Sequence, residues 1–213
     1  SVAISADGEY IAAGSYDFKV YLFDKDSSTP LWNYTTGYRV RSVAISADGE
    51  YIVAGSGDNK VYLFDKDSST PLWSYTVGYY ARSLAISADG EYIVAGCNDN
   101  KVYLFDKDSS TPLWSYDTDD TVDTVSISAG GDYIVVGSGV GSVRLFGKGS
   151  STPIWSYETG GTDDYGTIAD VSISADGEYI VAVFVDGKCR GLAERMYFQL
   201  DDTYYYMIQV YSN

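Results

Sequence analysis

Apolar residues along this chain come in short runs, each closed by glycine, proline or a polar cluster. Residues 42–82 show the pattern: SVAIS (42–46), YIVAGS (51–56), KVYLFD (60–65) and PLWSYT (71–76). Runs of this length, rich in β-branched and aromatic residues, predict strands. Ala47-Asp48-Gly49-Glu50 separates the first two, and Asp-Gly is a strong tight-hairpin signal because glycine takes positive φ without steric cost. The pair recurs as Asp7-Gly8, Asp89-Gly90 and Asp176-Gly177, with Gly130-Gly131 as the variant. Gly57-Asp58-Asn59 predicts the second turn and the polar KDSST the third. Pro71 opens the fourth run, where its missing N–H matters least. Nothing reads as helix.

The pattern repeats. Trp32, Trp73, Trp114 and Trp155 stand 41 residues apart, as do Pro30, Pro71, Pro112 and Pro153, every proline in the chain. The units run 1–41, 42–82, 83–123 and 124–170, the last lengthened by an insertion, and a divergent fifth occupies 171–213. Four short antiparallel strands per unit predict an all-β propeller of about five four-stranded blades in a single domain, 1–213. A blade cannot bury both faces alone, so neighbouring blades supply the core. In the fifth unit, RMYFQL and YYYMIQVY flank Asp201-Asp202-Thr203 and predict a hairpin forming the third and fourth strands. Such aromatic strands at an open edge need pairing, from the first blade or from another copy.

Composition narrows the partners. The 213 residues include 22 Tyr, 7 Phe and 4 Trp but no His, and net charge is −16. That field repels phosphate backbones, so nucleic acid is not an expected partner. No apolar run approaches the roughly 18 residues of a membrane span. Cys97 and Cys189 sit in unlike contexts and read as free thiols.

The phrase SxADGEYIVAGSGDNKVYLFD resembles the WD-repeat family, with Phe-Asp (23–24, 64–65, 105–106) where that family has Trp-Asp, and without its Gly-His. The second phrase, FDKDSSTPLWSY at 64–75 and 105–116, is similar to the tryptophan-docking repeat of pyrroloquinoline-quinone-type propellers. Asp24 and Trp32 keep its spacing. The resemblance covers residues 1–182. It implies a propeller and casts each Trp as a packing residue where blades meet.

Catalytic constellations are missing from the sequence. Without His, Ser-His-Asp triads and His-based zinc sites do not arise. Quinone-dependent propeller enzymes carry adjacent cysteines and a calcium-plus-Asp site, which this chain does not display. Five-bladed glycosidases need paired carboxylates around the axis, and the innermost runs (SVAIS, SVAIS, SLAIS, TVSIS, VSIS) hold no acid. Asp24/Asp26, Asp65/Asp67 and Asp106/Asp108 raise a calcium reading, but unit four replaces both Asp with Gly147 and Gly149. These residues read as turn formers. No cofactor and no metal are expected.

Repeats within one chain separate architecture from what is free to vary. SADGEY and DKDSSTP hardly change and share one face of the propeller. The second–third turns and the loops between blades share the other face and differ. There stand Tyr16 and Phe18; Tyr38, Arg39 and Arg41; Tyr79, Tyr80 and Arg82; then Asp119 and Asp120; then Asp163, Asp164 and Tyr165. Exposed Tyr and Arg anchor interfaces. The expected function is a non-enzymatic binding or scaffold module engaging a protein or ligand through this face. Two alternatives stand beside it: a structural component whose copies join through terminal blade edges, and a quinone-dependent or glycan-active propeller.

Overall fold

The computed structural model describes residues 1–139, 141–158, 167–185, 197–200 and 203–208. Its first blade is β1 (Val2–Ile4), β2 (Tyr10–Gly14), β3 (Lys19–Asp24) and β4 (Trp32–Thr35). The second is β5 (Val40–Ile45), β6 (Tyr51–Ser56), β7 (Lys60–Asp65) and β8 (Trp73–Thr76). The third is β9 (Ala81–Ile86), β10 (Tyr92–Cys97), β11 (Lys101–Asp106) and β12 (Trp114–Asp117). The fourth is β13 (Val122–Ile127), β14 (Tyr133–Ser138), β15 (Ser142–Gly147) and β16 (Trp155–Glu158). In all four, strands pair in chain order and antiparallel.

The Asp-Gly turns behave as the sequence predicts. Gly8, Gly49, Gly90, Gly131 and Gly177 all take φ near 75–79°. In four of the five turns a serine and an aspartate lock the hairpin: Ser46 Oγ donates to Asp48 Oδ1 at 2.6 Å and accepts from the Tyr51 amide at 3.0 Å. The third turns close similarly, the Asp65 carboxylate accepting from the Asp67 amide at 2.8 Å, with copies at Asp24 and Asp106. That bond is the work of the Asp-x-Asp pairs. Pro71 and Leu72 lie just ahead of β8 instead of inside it, and Leu72 is 53% exposed.

Each sheet has two faces: the forward face packs on the next blade, the rear face on the preceding one. Between blades one and two, forward Ala12, Val20, Leu22, Trp32 and Tyr34 meet rear Val40, Val43, Ile52, Ala54, Tyr62 and Phe64. The same layer recurs between blades two and three and between three and four. Glycines set the spacing. A Cβ on Gly14 would stand 2.5 Å from Val40 Cγ1, and one on Gly96 2.4 Å from Val122 Cγ1. Glycine here lets the next blade's first strand come close. The tryptophans of the first three blades pack, tilted, on the next blade's Phe64, Phe105 or Phe146 at 5.3–5.4 Å.

The fifth sheet departs from the expected order. β17 (Thr167–Ile173) and β18 (Ile180–Val185) form the usual first hairpin, but β20 (Thr203–Ile208) lies beside β18, parallel to it, and β19 (Tyr197–Leu200) pairs outside β20. The predicted hairpin exists, with its two strands exchanged. The physical reason is the loss of the short second turn: residues 186–196 separate β18 from β19, long enough for a crossover that a three-residue turn forbids. Among the described residues no helix is long and apolar enough to cross a membrane.

Candidate functional site

The second–third turns and the loops between blades interlock on one side. The Gly37 amide donates to Asp58 Oδ2 of the next blade at 2.7 Å, and Gly78 repeats this with Asp99. Asp58 Oδ2 also accepts from the Tyr62 hydroxyl at 2.6 Å, as Asp99 does from Tyr103 at 2.7 Å. Burial first, then the hydrogen bond to the carboxylate, pushes both tyrosine pKa values well above their ordinary range. Each aspartate thus ties a turn, a strand and the preceding blade's loop into a rigid platform.

On this platform most of the aromatic and basic residues cluster. Arg39 Cζ lies 4.9 Å from the Tyr16 ring centre and 5.7 Å from that of Tyr38, and Tyr38 stacks on Phe18 at 5.2 Å. One blade on, Arg41 lies 4.0 Å above the Tyr80 ring, which packs on Tyr79 at 4.7 Å. Arg82 instead binds Asp123 at 3.0 Å. The rings stay open to solvent: Tyr16 is 65% exposed, Tyr79 52% and Tyr38 43%. Asp119 and Asp120 stand in the next loop along, Asp119 exposed and Asp120 bonded through Oδ1 to the Thr121 amide at 2.7 Å. Asp163, Asp164 and Tyr165 lie outside the described residues, as does Cys189. Cys97 is a buried free thiol.

Two features of the site escape a reading of the sequence. Arg41, Arg82 and Asp123 occupy the same place in successive blades, the extra residue of a β-bulge near the start of the innermost strand. Pairing jumps from Val40 to Ser42, from Ala81 to Ser83 and from Val122 to Thr124. A bulge re-aims a side chain, and here it sends each arginine forward to the next blade, to Tyr80 and to Asp123. The second feature is Phe18, whose φ is 75°, where the matching Asn59, Asn100 and Gly141 take 66°, 65° and 74°. Asparagine and glycine tolerate that left-handed backbone, whereas a bulky aromatic there carries strain. Strain of this kind gathers at binding sites.

Among the described residues no group of three or more His, Cys, Asp or Glu is placed to hold a metal ion. The site is a shallow, aromatic-cationic surface on an otherwise acidic chain. Arginines held over tyrosine rings present guanidinium donors suited to carboxylates and peptide carbonyls.

Four repeated antiparallel sheets docked by tryptophan, with a fifth divergent one, define a β-propeller. A family model described as outer membrane protein assembly factor BamB matches residues 2–132, more than half of the chain, and the chain belongs to that family. The match supports the quinone-propeller-like half of the sequence resemblance. A search of curated proteins finds no match.

Proposed function

We propose that this chain is a non-enzymatic scaffold that binds a protein partner through the surface formed by Tyr16, Phe18, Tyr38, Arg39, Arg41, Tyr79 and Tyr80. The observation that carries the reading is the strained Phe18: the other described blades use Asn or Gly at this position, and only the first spends stability to hold an aromatic ring against Tyr38. The family's description, an assembly factor, supports a protein as the occupant rather than a small molecule. Charge supports an extended, carboxylate-bearing segment, because Arg39 and Arg41 form a local positive arc on a chain of net charge −16.

The test is binding of a panel of extended peptides, acidic-aromatic, neutral and basic, measured by fluorescence anisotropy. Acidic-aromatic peptides are expected to bind, and Arg39→Glu and Tyr38→Ala each to weaken them at least about 10-fold, the loss of one hot-spot contact. Equal binding by all peptides, or no change in either variant, overturns the proposal.

A further inference from the structure

The rear face of the first blade is open along its innermost strand and half-buried beyond it. Val2 is 76% exposed and Ile4 61%, whereas Val43, the same position one blade on, is 5% exposed, and Val171 is 4%. Ile11, Ala13, Tyr21 and Phe23 complete an apolar face whose copies Ile52, Ala54, Tyr62 and Phe64 are buried. Even the first turn shows it. A Cβ on Gly49 or Gly90 would meet the preceding blade's tyrosine at 2.5 Å, but one on Gly8 meets nothing within 4 Å.

The covered copies specify what fits this face. The rear faces of blades two and three each receive four polar contacts from the blade before, three of which recur on blade four and two on the described part of blade five. Trp32 Nε1 donates to the Lys66 carbonyl at 2.7 Å, and the Ala6 amide to the Ala47 carbonyl at 2.9 Å. Gly37 donates to Asp58, and the Val43 amide donates to Ser1 Oγ at 3.3 Å. On the first blade the corresponding groups are the Lys25 and Ala6 carbonyls, Asp17 Oδ2 and the Val2 amide. Among the described residues no tryptophan reaches Lys25 and no glycine amide reaches Asp17.

The fifth blade does not offer that complement. Pairing sets Val183 opposite Asp170, just as Gly55, Gly96 and Gly137 stand opposite Ser42, Ser83 and Thr124. Val183 therefore fills the place that glycine keeps open for a following blade, and residues after Trp155 include no tryptophan.

We propose that the rear face of the first blade is a docking site for one more blade of this repeat, bearing glycine at the Gly14 position and tryptophan at the Trp32 position, a complement that Val183 keeps the fifth blade from supplying. The occupant is identified by continuity with the four blade–blade layers already present, in which equivalent apolar side chains recur in register and the Ala6-type amide bond repeats throughout.

The test fuses a copy of residues 42–82 ahead of Ser1 in the full chain, which keeps the repeat in phase, and follows Tm, solution mass and hydrogen exchange. The fused chain is expected to stay monomeric, melt several degrees higher and protect the Val2 amide at least about 100-fold more than the unfused chain. Gly55→Val in the added copy alone is expected to abolish both gains. Val2→Asp, harmless in the unfused chain because the side chain is exposed, is expected to erase the gain in the fused one. Three outcomes overturn the proposal. One is a fused chain that behaves like its Gly55→Val control. Another is a monomeric unfused chain with the Val2 amide already protected, which makes the chain's own fifth blade the occupant. The third is protection that rises with concentration alongside a dimer, which makes a second copy the occupant.

Discussion

Trp73 and the Lys107 carbonyl, 34 residues apart in sequence and one blade apart in space, are joined by a 2.7 Å hydrogen bond from the indole Nε1. The same indole packs on Phe105 at 5.4 Å, and the Tyr75 ring meets Phe105 edge-on at 5.2 Å. One residue thus supplies apolar area and a polar lock to each of the first three blade joints. Trp73→Phe keeps most of the area but leaves the Lys107 carbonyl without its donor, and is expected to cost about 1 kcal/mol. Trp73→Ala removes both and is expected to cost about 3 kcal/mol, the low end for such truncations because the ring is only partly buried. Urea unfolding followed by circular dichroism checks both values. A Trp73→Phe variant as stable as the unsubstituted chain would mean that the hydrogen bond contributes nothing.

Phe18 supplies the opposite kind of prediction, a gain. Replacing it with Asn, the residue of blades two and three, relieves the left-handed backbone and is expected to raise stability by about 1 kcal/mol. The same change removes the ring stacked on Tyr38, so affinity for the acidic-aromatic peptides of the proposed function is expected to fall. A variant that gains stability and keeps full affinity would detach Phe18 from binding.

Much of this architecture is legible before any coordinates, for a physical reason. Asp-Gly or its Gly-Gly variant, the second turn and proline punctuate each of the first four units, and these residues favour turns and strand ends whatever surrounds them. Trp as the joint between blades follows from its appearance once in each of the first four units. What stays hidden depends on tertiary partners. Nothing local marks Arg41, Arg82 and Asp123 as bulge residues, because the pairing that skips them is made with β6, β10 and β14. The bond from Gly37 to Asp58 spans 21 residues and leaves no pattern in either turn. In the fifth unit the strands themselves are readable, but their order is not, since hydrophobic pattern selects strands and turn length selects neighbours. Of the rim, Tyr16, Phe18, Tyr38 and Arg39 do come together and Tyr79, Tyr80 and Arg41 form a second group, while Arg82 is drawn aside by Asp123.

Gly96 tests the spacing of the blades. A Cβ there would lie 2.4 Å from Val122 Cγ1 and 2.9 Å from Val125 Cγ1, on a buried first strand with no room to withdraw. Gly96→Val is expected to destabilise the chain by about 1–3 kcal/mol through overpacking. The fifth blade carries valine at the matching position, so Val183→Ala is expected to change Tm little. Thermal melts of the two variants compare a closed joint with an open one. A small effect at Gly96 would show that the blades part easily.

Alkaline pH provides the last prediction. Tyr62 and Tyr103 are buried and donate to Asp58 and Asp99, and both effects favour the neutral phenol in the folded state. Their folded pKa values therefore stand above the ordinary 10.0 of an unfolded tyrosine. A group raised in this way contributes stability that is fully present below pH 10 and is lost as pH climbs toward its folded pKa, because the unfolded chain ionises first. Lys66 has the same sign, held protonated chiefly by its bond to Glu50. The chain is expected to keep a nearly constant Tm from these groups up to about pH 10 and to lose it steeply above. Tyr62→Phe/Tyr103→Phe lowers Tm at pH 8, because Asp58 and Asp99 lose a donor, yet flattens the alkaline fall. Melts at half-unit steps from pH 8 to 12 separate the two effects. An unchanged alkaline slope in the double variant would place the sensitivity in other groups, and the Asp–Tyr tie would then serve only to position the rim.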